Sequence, residues 1–171
     1  PIVSSDRVFT TETKDKKLEV VTAFDRHTGR ELWHAEWAGA LSVPFFARSN
    51  GDWIRATPAC DGESLFVAGM RDVLVCLEAA TGKEIWIRNV GDGILGRPVI
   101  DQDRVYFGSR DQNIYCVNRE DGRQRWVHSL GEEVITSPVL GACSTCRQTT
   151  NLYVVTATKI TCFDPFDGKK H

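Results

Sequence analysis

No apolar run in the 171 residues approaches the ~20 that a membrane-spanning helix needs. The first residues, PIVSSDRVF, lack both the basic start and the apolar middle of a signal peptide. An excess of one charge is missing too: 21 Lys and Arg stand against 23 Asp and Glu, with no block of five or six like charges. That balance argues against nucleic acid as a partner. The longest charged run, Lys14 to Lys17, reads as a solvated hairpin tip. His27, His34, His128 and His171 show no H-E-x-x-H or H-x-H spacing and read as surface residues. There is no G-x-S-x-G and no phosphate loop. Helical periodicity is absent, since no window holds apolar residues at i, i+3, i+4 and i+7 over three turns. Six cysteines are too few for a disulfide-built scaffold and leave the compartment open.

What the chain has is a repeat. AFDRHTGRELW (Ala23 to Trp33), CLEAATGKEIW (Cys76 to Trp86), CVNREDGRQRW (Cys116 to Trp126) and CFDPFDGKKH (Cys162 to His171) share one template. A small residue precedes a turn glycine by six positions, and in the first three copies a Trp follows it by four. Gly29, Gly82, Gly122 and Gly168 are separated by 53, 40 and 46 residues, so the unit is about 40 residues with insertions. The repeats run over about 1–37, 54–91, 94–131 and 134–171, in a single region 1–171, with insertions at 38–53 and 141–150.

Within a unit, segments such as DRVYFGSRD and RQRWVHS carry β-branched or aromatic residues between Asp-, Gly- or Asn-containing turns. Four short antiparallel strands per 40 residues is the pattern of a β-propeller blade, so the expected class is all-β. The glycine is assigned a φ > 0 turn between the third and fourth strands. The small residue (Ala23, Cys76, Cys116 or Cys162) is assigned a place where facing sheets leave little room. Each Trp offers a large apolar area and one N–H for docking between blades. Gly29, Trp33, Gly82, Trp86, Gly122, Trp126 and Gly168 are therefore the structural motif.

The template A-x-D-x-x-T-G-x-x-x-W resembles the tryptophan-docking motif of PQQ-like propeller repeats. These occur in quinoprotein dehydrogenases and in non-enzymatic relatives such as the bacterial outer-membrane assembly lipoprotein BamB. The first copy fits every fixed position, the second has Cys for Ala and Glu for Asp, and the third drifts further. The resemblance implies rings of seven or eight blades, against four repeats here. The expectation is a fragment of a larger propeller, with two copies completing an eight-bladed ring or a tight four-bladed ring as the other arrangements. The start on Pro without an initiator Met agrees with a processed or excised chain.

Two functions follow from the resemblance. The first is a non-catalytic platform for protein or ligand binding or for assembly, outside the cytoplasm, with other blades and a protein as partners and no cofactor. The alternative is part of a quinoprotein oxidoreductase, which would bring PQQ with calcium. No two cysteines are adjacent and no metal-binding Glu, Asn and Asp set aligns, which leaves Trp37 and Trp53 as the free aromatic candidates and favours the platform.

Other residues have chemical potential outside the repeat. Cys143 and Cys146 form a lone C-x-x-C with three open readings: thiols or a local disulfide, a zinc site completed elsewhere, or a redox pair. Cys60, Cys76, Cys116 and Cys162 read as buried small hydrophobes. GDGILG (Gly91 to Gly96) matches G-x-G-x-x-G but leads into a strand and not a helix, so it reads as an inter-blade turn. Thr57, Arg97 and Ser137, each preceding a recurrent Pro, are the candidates for facing a central channel. The linker holding Phe45, Phe46, Arg48, Trp53 and Arg55 is a candidate cover or binding patch.

Overall fold

The computed structural model describes residues 1–15, 18–38, 54, 56–69, 72–142 and 150–171. Among the described residues fifteen strands make four antiparallel sheets, each a simple meander. The first sheet holds β1 (Ile2–Ser4), β2 (Arg7–Lys14), β3 (Leu18–Asp25) and β4 (Glu31–Ala38). The second holds β5 (Ala59–Cys60), β6 (Ser64–Ala68), β7 (Val73–Glu78) and β8 (Glu84–Asn89). The third holds β9 (Val99–Asp101), β10 (Arg104–Gly108), β11 (Asn113–Asn118) and β12 (Gln124–Ser129). The last holds β13 (Val139–Gly141), β14 (Asn151–Val155) and β15 (Ile160–Phe163). Its fourth strand is represented by one bridge, Phe163 to Lys170, at the register of Phe24 to Glu31 in the first sheet.

Burial explains the composition of each strand. The second strands of the middle sheets, SLFVA and RVYFG, are buried along their whole length because both faces are covered by neighbouring sheets. The outermost strands β8 and β12 bury little besides their Trp. Three apolar cores result, one in each gap between consecutive sheets. Phe9, Val21 and Ala23 meet Leu65, Val67 and Leu77. Phe66, Leu74 and Cys76 meet Val105, Phe107 and Val117. Tyr106, Ile114 and Cys116 meet Leu152, Val154 and Phe163. No sheet owns a core, so every unit is held by its neighbours.

At each gap an indole crosses to the next sheet. Trp33 donates its N–H to the Ala79 carbonyl (3.2 Å), Trp86 to that of Arg119 (2.8 Å), and Trp126 to that of Pro165 (3.3 Å). Each accepting carbonyl lies three residues before a turn glycine, and the indole lies flat against that glycine. Gly82, Gly122 and Gly168 have φ of 74°, 66° and 73°, which only glycine adopts without strain. A Cβ would stand 2.7 Å from the Trp86 ring at Gly122 and 2.8 Å from the Trp126 ring at Gly168. Gly29 has the same φ, 70°, but a Cβ there meets nothing within 4 Å.

Cross-strand pairing explains the small residue of the template. Ala23, Cys76 and Cys116 stand directly opposite Trp33, Trp86 and Trp126, leaving depth for the indole. The ladder slips by one residue just after each of them, and the resulting bulge bends the outer strand at its Trp. The acidic position of the template caps the turn: Asp25 Oδ1 accepts the backbone N–H of His27 (3.0 Å) and Thr28 (2.7 Å), and Asp164 Oδ1 accepts that of Phe166 (2.6 Å).

Trp86→Ala is expected to destabilise the protein by about 3–5 kcal/mol, the range for deleting a large buried aromatic; a loss below about 1 kcal/mol in urea unfolding contradicts a locking role. Gly122→Ala and Gly29→Ala share the φ penalty, but only the first drives a methyl into an indole. Gly122→Ala should therefore be the more destabilising by about 1–3 kcal/mol, and equal losses would show that the ring contact contributes nothing.

Candidate functional site

The innermost strands β5, β9 and β13 each pair on one edge only, and together they border a cavity of about 840 Å³. Its wall is apolar along Pro98, Val99, Ile100, Pro138, Val139 and Leu140. Polar groups sit at its two ends. Arg97 and Ser137 lie where the inner strands begin; Cys60, Asp61, Gln102 and Arg119 lie where they turn back. Arg97 to Gln102 is five residues of extended chain, about 16 Å at ~3.3 Å per residue.

The two ends differ electrostatically. Arg119 is neutralised across the gap between the second and third sheets, with Nε 2.9 Å from Asp61 Oδ2 and Nη2 2.7 Å from Glu63 Oε2. At the other end the Arg97 backbone N–H donates to Ser137 Oγ (2.9 Å), joining the third and fourth sheets. The Arg97 guanidinium itself has no ion-pair or hydrogen-bond partner among the described residues.

Of the three residues expected near a channel, Arg97 and Ser137 therefore line the cavity and share a hydrogen bond. Thr57 is exposed and is not part of the lining. Cys143 and Cys146 lie outside the described residues, as do Phe45, Phe46, Arg48, Trp53 and Arg55.

A family profile described as outer membrane protein assembly factor BamB matches residues 17–171. The chain belongs to this family of PQQ-like repeat proteins. No curated protein matches it by sequence. Among solved structures it is similar to BamB from Moraxella catarrhalis, with 17% identity and a TM-score of 0.71 over 98% of this chain and 48% of that one. It is similar also to the quinohemoprotein alcohol dehydrogenase of Comamonas testosteroni, with 19% identity and a TM-score of 0.66 over 98% of this chain and 35% of that one. A quinohemoprotein alcohol dehydrogenase of Pseudomonas putida gives 14% identity and a TM-score of 0.72 over 96% of this chain and 32% of that one. At these identities the likeness establishes the all-β propeller architecture. The chain spans about half the length of that BamB and about a third of the dehydrogenases.

Membership in the PQQ-like family raises the question whether the described residues fit a quinone with calcium. Trp33, Trp86 and Trp126 are engaged between sheets. Trp37, expected to be free for stacking, is not: its N–H donates to the buried Glu19 carboxylate (2.7 Å), and its ring packs against the first core. Among the described residues no three His, Cys, Asp or Glu side chains converge on a point that could hold a metal ion. No chemistry is derived through that group.

Three expectations on single residues need correction. Cys60 is only half-buried because it belongs to the cavity wall, and Cys162 is half-buried because its side of the last sheet has no sheet against it among the described residues. His128 is no surface residue: it is half-buried against Trp126 and Phe163, with ring centroids 5.5 Å from each. The buried Glu19 and the Arg119 bridge have no counterpart among the sequence expectations. An acidic residue in LEVV gives no sign that it turns inward, and the Arg119 partners lie more than 50 residues away.

Burial pushes the thiols of Cys76 and Cys116 up to about 12. From the thiolate fraction alone, their alkylation by iodoacetamide at pH 8 should be on the order of a thousandfold slower in the native protein than in the unfolded one. Cys60 should react before either, as followed by mass spectrometry of the digested protein. Native-state labelling of Cys76 or Cys116 at the unfolded rate would contradict their place between sheets.

Proposed function

We propose that this region of a PQQ-like propeller is a non-catalytic binding platform that works outside the cytoplasm and engages a protein or ligand through its inner-strand cavity and its insertions. The observation that carries this reading is the division of labour among side chains. The described tryptophans hold the sheets together or satisfy a buried carboxylate, whereas the cavity has an apolar wall with Arg97 and Ser137 at one end and, at the other, the acid Asp61 held in an ion pair with Arg119. Such a surface is equipped to recognise and not to transform. The family description, an outer membrane protein assembly factor, supports a protein partner and an extracytoplasmic site of action. Blades bring residues from several repeats to one surface, which suits a platform, although the architecture alone hosts many activities.

A second reading is favoured by one observation, the fold likeness to two quinohemoprotein alcohol dehydrogenases at TM-scores of 0.66 and 0.72. The two readings separate in one assay. The natural full-length product of the gene, supplied with PQQ and Ca²⁺, is expected to give no dye-linked oxidation of alcohols or sugars above background. Cofactor-dependent turnover would overturn the platform and establish the oxidoreductase.

A further inference from the structure

Building on the platform reading, we infer that the cavity takes a ligand with a carboxylate at the end of an apolar body, the carboxylate seated at Arg97 and Ser137. Three observations converge there. The first is charge: the lining contains Asp61, Arg97 and Arg119, and since Asp61 and Glu63 pair with Arg119, the lining cation with no ion-pair partner among the described residues is Arg97. An anion is the complement of that end.

The second is donor geometry. Ser137 Oγ accepts the Arg97 backbone N–H at 2.9 Å through one lone pair, and the hydroxyl keeps its proton to donate to a ligand oxygen. A guanidinium fork and a hydroxyl donor from adjacent sheets thus share one end of the cavity, and a planar carboxylate matches such a fork through two oxygens. The third is what continues from that end. Pro98, Val99, Pro138, Val139 and Leu140 form an apolar wall, and Val139 is 57% exposed. A hydrated inorganic anion gains nothing from this wall, whereas an aliphatic chain does.

The site depends on the joints between the second, third and fourth sheets, because each contributes one inner strand to the wall. It uses no residue of the C-x-x-C insertion.

The probe for the test is hexanoate, titrated against the 171-residue protein and followed by methyl NMR. Saturable shifts are expected at Val99, Val139 and Leu140. Arg97→Gln should weaken binding about tenfold, as expected for loss of a charge-assisted hydrogen bond, and Ser137→Ala should weaken it by a smaller factor. Arg97 is exposed, so the variant should melt with the parent, which separates lost binding from lost fold. Acetate should bind far more weakly, which would show the part played by the wall. Absence of saturable shifts, hexylammonium binding as tightly as hexanoate, or unchanged affinity in Arg97→Gln would each overturn the inference. None of those failures touches the platform reading, which stands or falls separately on the oxidation assay.

Discussion

An indole laid on a glycine turn is the constraint on which the rest of the molecule depends. The contact makes two demands on one position: a backbone at φ near +70° and no Cβ in the path of the ring. Glycine alone meets both without strain. The indole N–H then needs an acceptor in a place that water barely reaches, and the carbonyl three residues upstream supplies it. Donor and acceptor always come from successive repeats. The spacing of Gly and Trp along the chain is therefore a record of contacts between units, and the residues inside one unit have only to keep the faces apolar and the opposite residue small.

Much of the architecture could be read from those few residues. The Gly-to-Trp spacing marks the third and fourth strands of each sheet, and the recurrent Pro marks where inner strands begin. The acid six residues before the following strand reads as a turn cap once the turn is placed. The candidate site was far less legible. Its wall draws on three repeats, so its charge balance appears only when Arg119 is seen against Asp61 across a gap between sheets. Trp37 misled for a related reason. Nothing near it in sequence announces the buried Glu19 that holds its N–H. His128 was invisible because packing against the rings of Trp126 and Phe163 leaves no spacing signature.

The allocation of aromatic residues bears on function. A propeller that spends its indoles on joints keeps few for recognising a flat cofactor, and the surface that remains is made of strand edges, turns and inserted segments. The cavity of this chain follows that logic. Its features are a backbone-bonded serine, an arginine with no ion-pair partner among the described residues and a proline-valine wall. Such groups are the kind that recognise shape and charge, which is why the platform reading is proposed for them.

The two insertions depart from the frame at opposite ends of the strands. Ala38 closes an outer strand and Ala59 opens an inner one at one end, whereas Gly141 and Asn151 flank the other insertion at the end where inner strands turn back. The cavity runs between these ends. The short inner strands that border the cavity therefore also set the distance between the two points at which the chain leaves the repeat frame, so one set of edges fixes both spacings.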